Sequence, residues 1–394
     1  MSVLEGIRVL DFGRYIAGPY CATLLSDMGA DVVRVEKPGT GSEDRWLSPI
    51  AESGEGSLFM QVNRNKRCLT LNPKKERGRE IVRQLVAAAD VVVANLPPQT
   101  LQSMGLDYET LKATKEDIIL STVSAFGHGG PYSHRVGFDG IAQAMSGAMY
   151  LSGEEDEPCR LFYPWVDFTT AILTAFGTVS ALFERQKSGK GQQVEGSLLA
   201  SSLTVANGTL IEQAVIEANR VATGNRGQTA ATVDCFRTKD GWVQVLTIGQ
   251  PLFERWVRLM GEEEWLDDPR FADDLARGDN GVVISERMQR WCDERTTAEV
   301  LAELDEARLP AGPVYSPQQA LDDPHVQAMQ FMKPVDYPGL PKPAPVADTP
   351  VRLSATPGQI RHRAPQLGEH TEEVLGELGY SSDDIASLRA EQVV

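Results

Sequence analysis

The stretch GIRVLDFGRYIAGPYCATLLSDMGADVVRVE, residues 6–36, decides the fold. Its first part, GIRVLDF, has the β-branched and aromatic character of a short buried strand. YCATLLSDMGA follows as a helix, with Gly29 suited to the position just past the helix end. ADVVRVE then returns to strand. Strand, helix and strand in so short a span make a βαβ unit, whose parallel pairing needs a crossover helix. The pattern continues through helix 74–90 (KKERGREIVRQLVAAAD), strand 91–96 (VVVANL), helix 107–113 (DYETLKA) and strand 117–126 (DIILSTVSAF). An α/β fold with an open parallel sheet covered on both faces is predicted.

From Asp167 the periodicity changes. Phe168, Ile172, Ala175, Phe176, Val179, Leu182 and Phe183 recur at 3–4 spacing, which predicts one long helix with these residues as its apolar stripe, ending near Ser188–Gly191. A strand and helix over 191–218 lead into the loop ATGNRGQTAAT, a candidate domain boundary. Residues 228–320 read as a smaller unit, with strands around CFRTKDGWVQVLTIG followed by helices. Residues 334–365 hold eight prolines, too many for a helix, so an extended segment is predicted there.

The bulk numbers narrow the function. With 394 residues, one hydrophobic core is usually exceeded and two domains are expected. The net charge of −17 repels phosphate backbones and anionic lipid surfaces, so neither nucleic acid nor membrane is an expected partner. Cys21, Cys68, Cys159, Cys235 and Cys292 lie far apart with no CxxC spacing, which points away from a disulfide framework or zinc site. The start lacks the order of a signal peptide and no run of 18 apolar residues occurs; a cytoplasmic protein is expected.

Several familiar sites are absent: no GxGxxG follows the first strand, and there is no Walker loop, GxSxG elbow or HExxH. Basic residues carry more information. Arg14 occupies the turn after the first strand, at the edge where open α/β sheets bind ligands. Lys37 follows the second strand, and Arg64, Lys66 and Arg67 sit in NRNKR. Singly each fits a solvated face; jointly they suit a polyanion such as a nucleotide phosphate.

Asp167 lies in RLFYPWVDFTTAILTAFG, residues 160–177, one acid among apolar neighbours at a helix start. It can serve as a structural N-cap. It can equally be reactive, since free helix amides and the positive dipole end would hold the carboxylate ionised where water is scarce, and such a group is a nucleophile or a base. His128 and His134 fall in a glycine-rich loop; His325, His362 and His370 lie in polar stretches read as exposed. No metal-ligand spacing emerges and no metal is expected.

In their order, LEGIRVLDFGRYIAGP, GADVVRVEKPGTG, NRNKRCLTLN, FGHGGPYSHRVGFDGIAQAMSG, the Asp167 helix, SGKGQQVEGSLL, DGWVQV, LPAGPVYS and RAPQLGEHTEEVL resemble the family III CoA-transferases over nearly the whole chain. The resemblance implies a Rossmann-like large domain with a parallel sheet and a smaller α+β domain. On that reading residues 1–200 are the N-terminal part of the large domain, 201–227 a linker, 228–320 the small domain, 321–365 a return linker and 366–394 the C-terminal part of the large domain. It also implies an interlocked homodimer.

The family's catalytic aspartate aligns with Asp167. Implied chemistry is attack of this carboxylate on an acyl-CoA thioester, an anhydride, then an aspartyl-CoA thioester that passes CoA to an acceptor carboxylic acid. Coenzyme A is then a substrate, and no permanently bound cofactor is required. Implied CoA contacts are Arg14, Tyr15, Ile16, Ala17, Lys37, Leu71, Asn95, Leu96, Arg135 and Phe138. Gln102 and Ser103 stand where the family often has a basic residue. Ile16 and Phe138 replace a glutamine and a tyrosine of the formyl-CoA enzyme, which implies a less polar acyl group; Trp46, Met60 and Tyr150 are candidates for lining its pocket. Two alternatives stand beside this: a 2-methylacyl-CoA racemase, whose histidine base would fall on Phe138, and a non-catalytic acyl-CoA-binding protein.

Overall fold

A computed structural model describes residues 2–230 and 232–394; Met1 and Ala231, at the first position and inside the expected small domain, lie outside the described residues. The chain divides into two compact units, residues 1–146, 162–205 and 324–394 forming the larger and 147–161 with 206–323 the smaller.

The larger unit is built on strands β1 (Arg8–Asp11), β2 (Asp31–Glu36), β3 (Lys66–Thr70), β4 (Val91–Ala94) and β5 (Ile119–Ser124). After a short hairpin of the smaller unit, β6 (Gly153–Glu154) and β7 (Glu157–Pro158), the last sheet strand β8 (Gln193–Ser197) follows. The order is β3-β2-β1-β4-β5-β8 and every pairing is parallel, with Leu10 level with Val33 on one side and Val92 on the other. Chain order reverses between β1 and β4, the place where open sheets of this kind bind ligands at the carboxyl ends of the strands.

Alternation along the strands sends side chains into two cores. Leu10, Val33, Leu69, Val92 and Leu120 pack with Ile81, Val82 and Leu85 of helix Glu76–Ala87 and with Val374, Leu375, Ile385 and Leu388 near the C-terminus. On the other face Val9, Val32, Val91 and Ile119 pack with Cys21 and Leu25 of helix Ala17–Asp27 and with Ala171, Ala175 and Leu182 of helix Trp165–Ser188.

The edge strand β3 is covered by the RAPQLGEHT run. The His370 amide donates to the Cys68 carbonyl (3.0 Å), the Cys68 amide to His370 Nδ1 (3.2 Å) and the Thr70 amide to Thr371 Oγ1 (3.1 Å). A free sheet edge is thereby closed. His370 is accordingly half-buried and engaged, not exposed as its polar surroundings predict.

The predicted stripe of the long helix is corrected. Ala175 and Leu182 are buried, together with Val166, Thr170, Ala171, Thr174, Thr178 and Ala181, whereas Ile172, Phe176 (71% exposed), Val179 and Phe183 face outward. Small residues are inside because the helix lies close on the sheet, where a Cβ on Gly196 of β8 would fall 2.3 Å from Thr174 Oγ1. By length and composition this helix is apolar enough to cross a membrane, although it contains no unbroken run of 18 apolar residues. Its packing on β5 and β8 makes it a core helix of the larger unit.

In the smaller unit β9 (Val233–Arg237), β10 (Trp242–Leu246) and β11 (Ala311–Pro313) form an antiparallel sheet. Phe236, Val243 and Val245 pack with Trp256, Ile284, Met288, Val300 and Leu304 of its helices. The stretch expected as a 201–227 linker begins inside helix Leu198–Ile216, and the units part at residues 205 and 206. The proline-rich segment carries a further antiparallel pair in the larger unit, β12 (Met332–Val335) with β13 (Ala344–Ala347).

Candidate functional site

The turn after β1 is held from below by side chains. Asp11 Oδ1 accepts from the Gly13 amide (2.7 Å) and Asn95 Oδ1 from the Arg14 amide (2.7 Å), while Asn95 Nδ2 returns a bond to the Arg14 carbonyl (2.8 Å). Two successive amides, of Gly13 and Arg14, are thus committed to the protein and are not free to hold a phosphate as those of a glycine-rich loop do. Tyr15 has φ 60°, a left-handed conformation uncommon for a residue with a side chain. Gly13 is required by close approach, since a Cβ there would meet Pro19 Cδ at 2.7 Å.

Beneath this turn lies a buried ion network. Lys66 Nζ donates to Asp11 Oδ2 (2.8 Å), Pro19 O (2.7 Å) and Asn63 Oδ1 (2.9 Å); Arg34 bonds Asp44 (2.8 Å) and Glu36 (3.1 Å), and Arg45 also bonds Glu36 (2.6 Å). Arg64 pairs with buried Asp27 (2.6 Å), and Arg67 with Asp31 (2.7 Å), Glu373 and Glu377. The expectation that NRNKR helps bind a polyanion is therefore corrected: its basic residues are spent on internal carboxylates. Burial pushes the Lys66 ammonium down to about 8, against the opposing pull of Asp11.

The implied CoA contacts divide by accessibility. Arg14 and Lys37 are exposed at the carboxyl edge, Arg14 only 3.4 Å from an equally exposed Glu43. Ile16, Ala17 and Leu71 are buried in the cores, and the Leu71 amide is taken by the Glu36 carbonyl (2.8 Å). Leu96 is partly buried against the core. Arg135 stacks over Tyr132 at 4.0 Å in the exposed glycine-rich loop, which also carries His128 and His134. Phe138 is 57% exposed and meets Tyr15 edge-on, ring centroids 5.7 Å apart. Trp46 is exposed, Met60 is buried, and Tyr150 belongs to the smaller unit.

Asp167 stands in the first turn of helix Trp165–Ser188, not at its N-cap, which is Pro164. Pro164 has no side-chain acceptor, and the acceptor comes from elsewhere. Asp139 Oδ2 takes the amides of Val166 (2.8 Å) and Asp167 (3.1 Å), and Oδ1 takes the Gln143 side-chain amide. Asp139 is buried. Helix amides thus serve Asp139, and the expectation that they keep Asp167 ionised is overturned: burial first, and the Asp139 charge second, push the Asp167 carboxyl up to about 7. A carboxylate of that basicity, partly buried beside apolar Val166 and Phe168, is a stronger nucleophile than an ordinary aspartate.

Contacts link the pieces in one chain: Asn95 to Arg14, Tyr15 to Phe138, and Asp139, next to Phe138, to Asp167. Asp139, Asp44 and Asp11 were not read from the sequence. A signal for Asp139 existed, since a helix beginning YPWVD has no capping residue of its own and an acid opens the preceding short helix, Asp139–Met145.

A family model described as CoA-transferase family III matches residues 4–371. Succinyl-CoA--D-citramalate CoA-transferase of Chloroflexus aurantiacus is 34% identical over 99% of this chain and 98% of its own. Succinyl-CoA:mesaconate CoA-transferase of Haloarcula marismortui is 35% identical over 96% of this chain and 97% of its own. The crystal structure of a CAIB/BAIF family protein from Brucella suis is similar with TM-score 0.84 and 32% identity, covering 96% of this chain and 99% of that one. The likeness runs along nearly the whole length in sequence and in fold, and the chain belongs to CoA-transferase family III.

Proposed function

We propose that this enzyme moves coenzyme A from an acyl-CoA thioester to a free carboxylic acid through covalent intermediates on Asp167. The observation that carries this reading is a partly shielded carboxylate near neutrality at the head of an apolar helix, next to the turn that bears Arg14 and Tyr15. One Asp167 oxygen attacks the thioester carbonyl and CoA thiolate leaves. The thiolate then attacks the aspartyl carbonyl of the anhydride, the donor acid departs, and an aspartyl-CoA thioester remains. An acceptor carboxylate reverses the steps. Covalent catalysis of this kind splits one difficult transfer into easier ones, provided water is kept away.

Arg14 and Lys37 are the accessible cations for the CoA phosphates, with Arg135 as a third from the glycine-rich loop. Tyr15 and Phe138 offer an aromatic wall between the nucleotide turn and Asp167. Succinyl-CoA is taken as donor and a small dicarboxylic acid as acceptor, on the names of the citramalate and mesaconate relatives. The implication of a less polar acyl group drew on Ile16, whose side chain is buried in the core, and on Phe138, which is exposed.

A second copy of the chain is the proposed partner. Ile172, Leu173, Phe176, Val179 and Phe183 form an exposed apolar stripe of the kind that marks an association surface. Mass spectrometry after incubation with succinyl-CoA tests the chemistry. A CoA-sized adduct on Asp167 is expected; α-proton exchange without adduct would instead indicate racemisation, and neither would indicate a binder.

A further inference from the structure

A helix N-terminus can be capped by any short acceptor, serine, threonine or asparagine included. The long helix is capped by a buried acid, and the residue whose amide it receives is itself an acid, Asp167. Both Asp139 oxygens face donors, the arrangement a carboxylate accepts and a carboxylic acid proton would disrupt. A fixed negative charge is therefore built against the proposed nucleophile, where an uncharged cap would have sufficed for folding.

We propose that Asp139 is a positioning residue whose charge tilts the equilibrium at Asp167 away from the free carboxylate and toward its covalent, uncharged states, so that more of the enzyme rests as aspartyl-CoA. This rests on the nucleophilic role of Asp167 proposed above. In the first step a C–O bond forms from Asp167 to the acyl carbon and the C–S bond breaks, its electron pair leaving on the thiolate. In the second a C–S bond forms to the aspartyl carbon and the C–O bond to the bridging oxygen breaks, its pair leaving on the donor carboxylate. Negative charge thus moves from Asp167 to a departing acid. Asp139, whose Oδ2 lies 3.1 Å from the Asp167 amide, repels a charge on the neighbouring carboxylate, and that repulsion is relieved by the change.

The experiment compares wild type with Asp139→Asn, which keeps the acceptor and drops the charge, and Asp139→Ser, a second uncharged cap. Each is incubated with succinyl-CoA at a fixed concentration of free succinate, quenched, and read by intact-protein mass for the ratio of Asp167 adduct to free enzyme. Circular dichroism checks folding. A ratio about ten-fold lower in the folded uncharged variants, one pKa unit of differential interaction, is expected. A ratio equal to wild type in Asp139→Asn makes Asp139 a cap alone and overturns the proposal while leaving the function intact. Absence of adduct on wild type overturns both.

Discussion

Asn95 and Arg14 exchange two hydrogen bonds across the carboxyl ends of β4 and β1: the Arg14 amide donates to Asn95 Oδ1 and Asn95 Nδ2 donates to the Arg14 carbonyl. One side chain thereby completes both backbone groups of the residue that carries an accessible cation. Asn95→Ala is expected to cost about 1 kcal/mol of stability and, through a looser turn, to raise KM for the acyl-CoA about five-fold. Denaturant unfolding and steady-state kinetics read the two effects; an unchanged KM would separate the turn from CoA binding.

Removing the proposed nucleophile is expected to give the largest loss. Asp167→Asn is expected to lower kcat/KM on the order of 10,000-fold, as loss of a covalent group does elsewhere, while CoA still binds. Calorimetric titration with CoA, run beside the activity assay, checks both halves.

The Asp167 carboxyl at about 7 sets two pH dependences. As the attacking form is the anion, kcat/KM should rise as pH increases through about 7 and level off above it. Stability runs the other way. The folded state holds the Asp167 proton more tightly than the unfolded chain, so stability falls as pH rises from the ordinary carboxylate range to about 7. Thermal unfolding should then show Asp167→Asn above wild type by about 1–2 kcal/mol at pH 8 and near parity at pH 4.

Lys66 and Lys37 are distinguished by burial. Lys66→Met removes the nearer cation from buried Asp11 (2.8 Å), leaving Arg34 at 3.6 Å, and is expected to cost about 3 kcal/mol. Lys37→Ala, at an exposed position, should leave stability within about 0.5 kcal/mol and raise KM for the acyl-CoA. Equal stability losses in chemical denaturation would contradict this division.

The exposed stripe on the long helix predicts its own disruption. An aspartate at Phe176 or Val179 is expected to leave the larger unit's core untouched and to shift sedimentation from dimer toward monomer. Wild type sedimenting as a monomer would remove the stripe's proposed role.

Local chemistry in the sequence was enough for the parallel sheet, the long helix and the choice of Asp167 as a candidate. Strand and helix periods, the turn after β1 and a lone acid among apolar residues are all properties of neighbours along the chain. Which charges lie inside was not legible: DVVRVE reads as a strand whichever way Arg34 and Glu36 point, and only pairing with Asp44, Asp11 and Arg45 keeps them buried. Nor was the inner face of the long helix, because close approach to β8 favours small residues over the large apolar ones that periodicity selects. Asp139 stands 28 residues before Asp167 and acts on it only because two helix starts converge in space. The sequence alone determined the elements and singled out Asp167 as a candidate; tertiary structure decided that acid's surroundings, since desolvation and a neighbouring carboxylate exist only once distant segments are packed together.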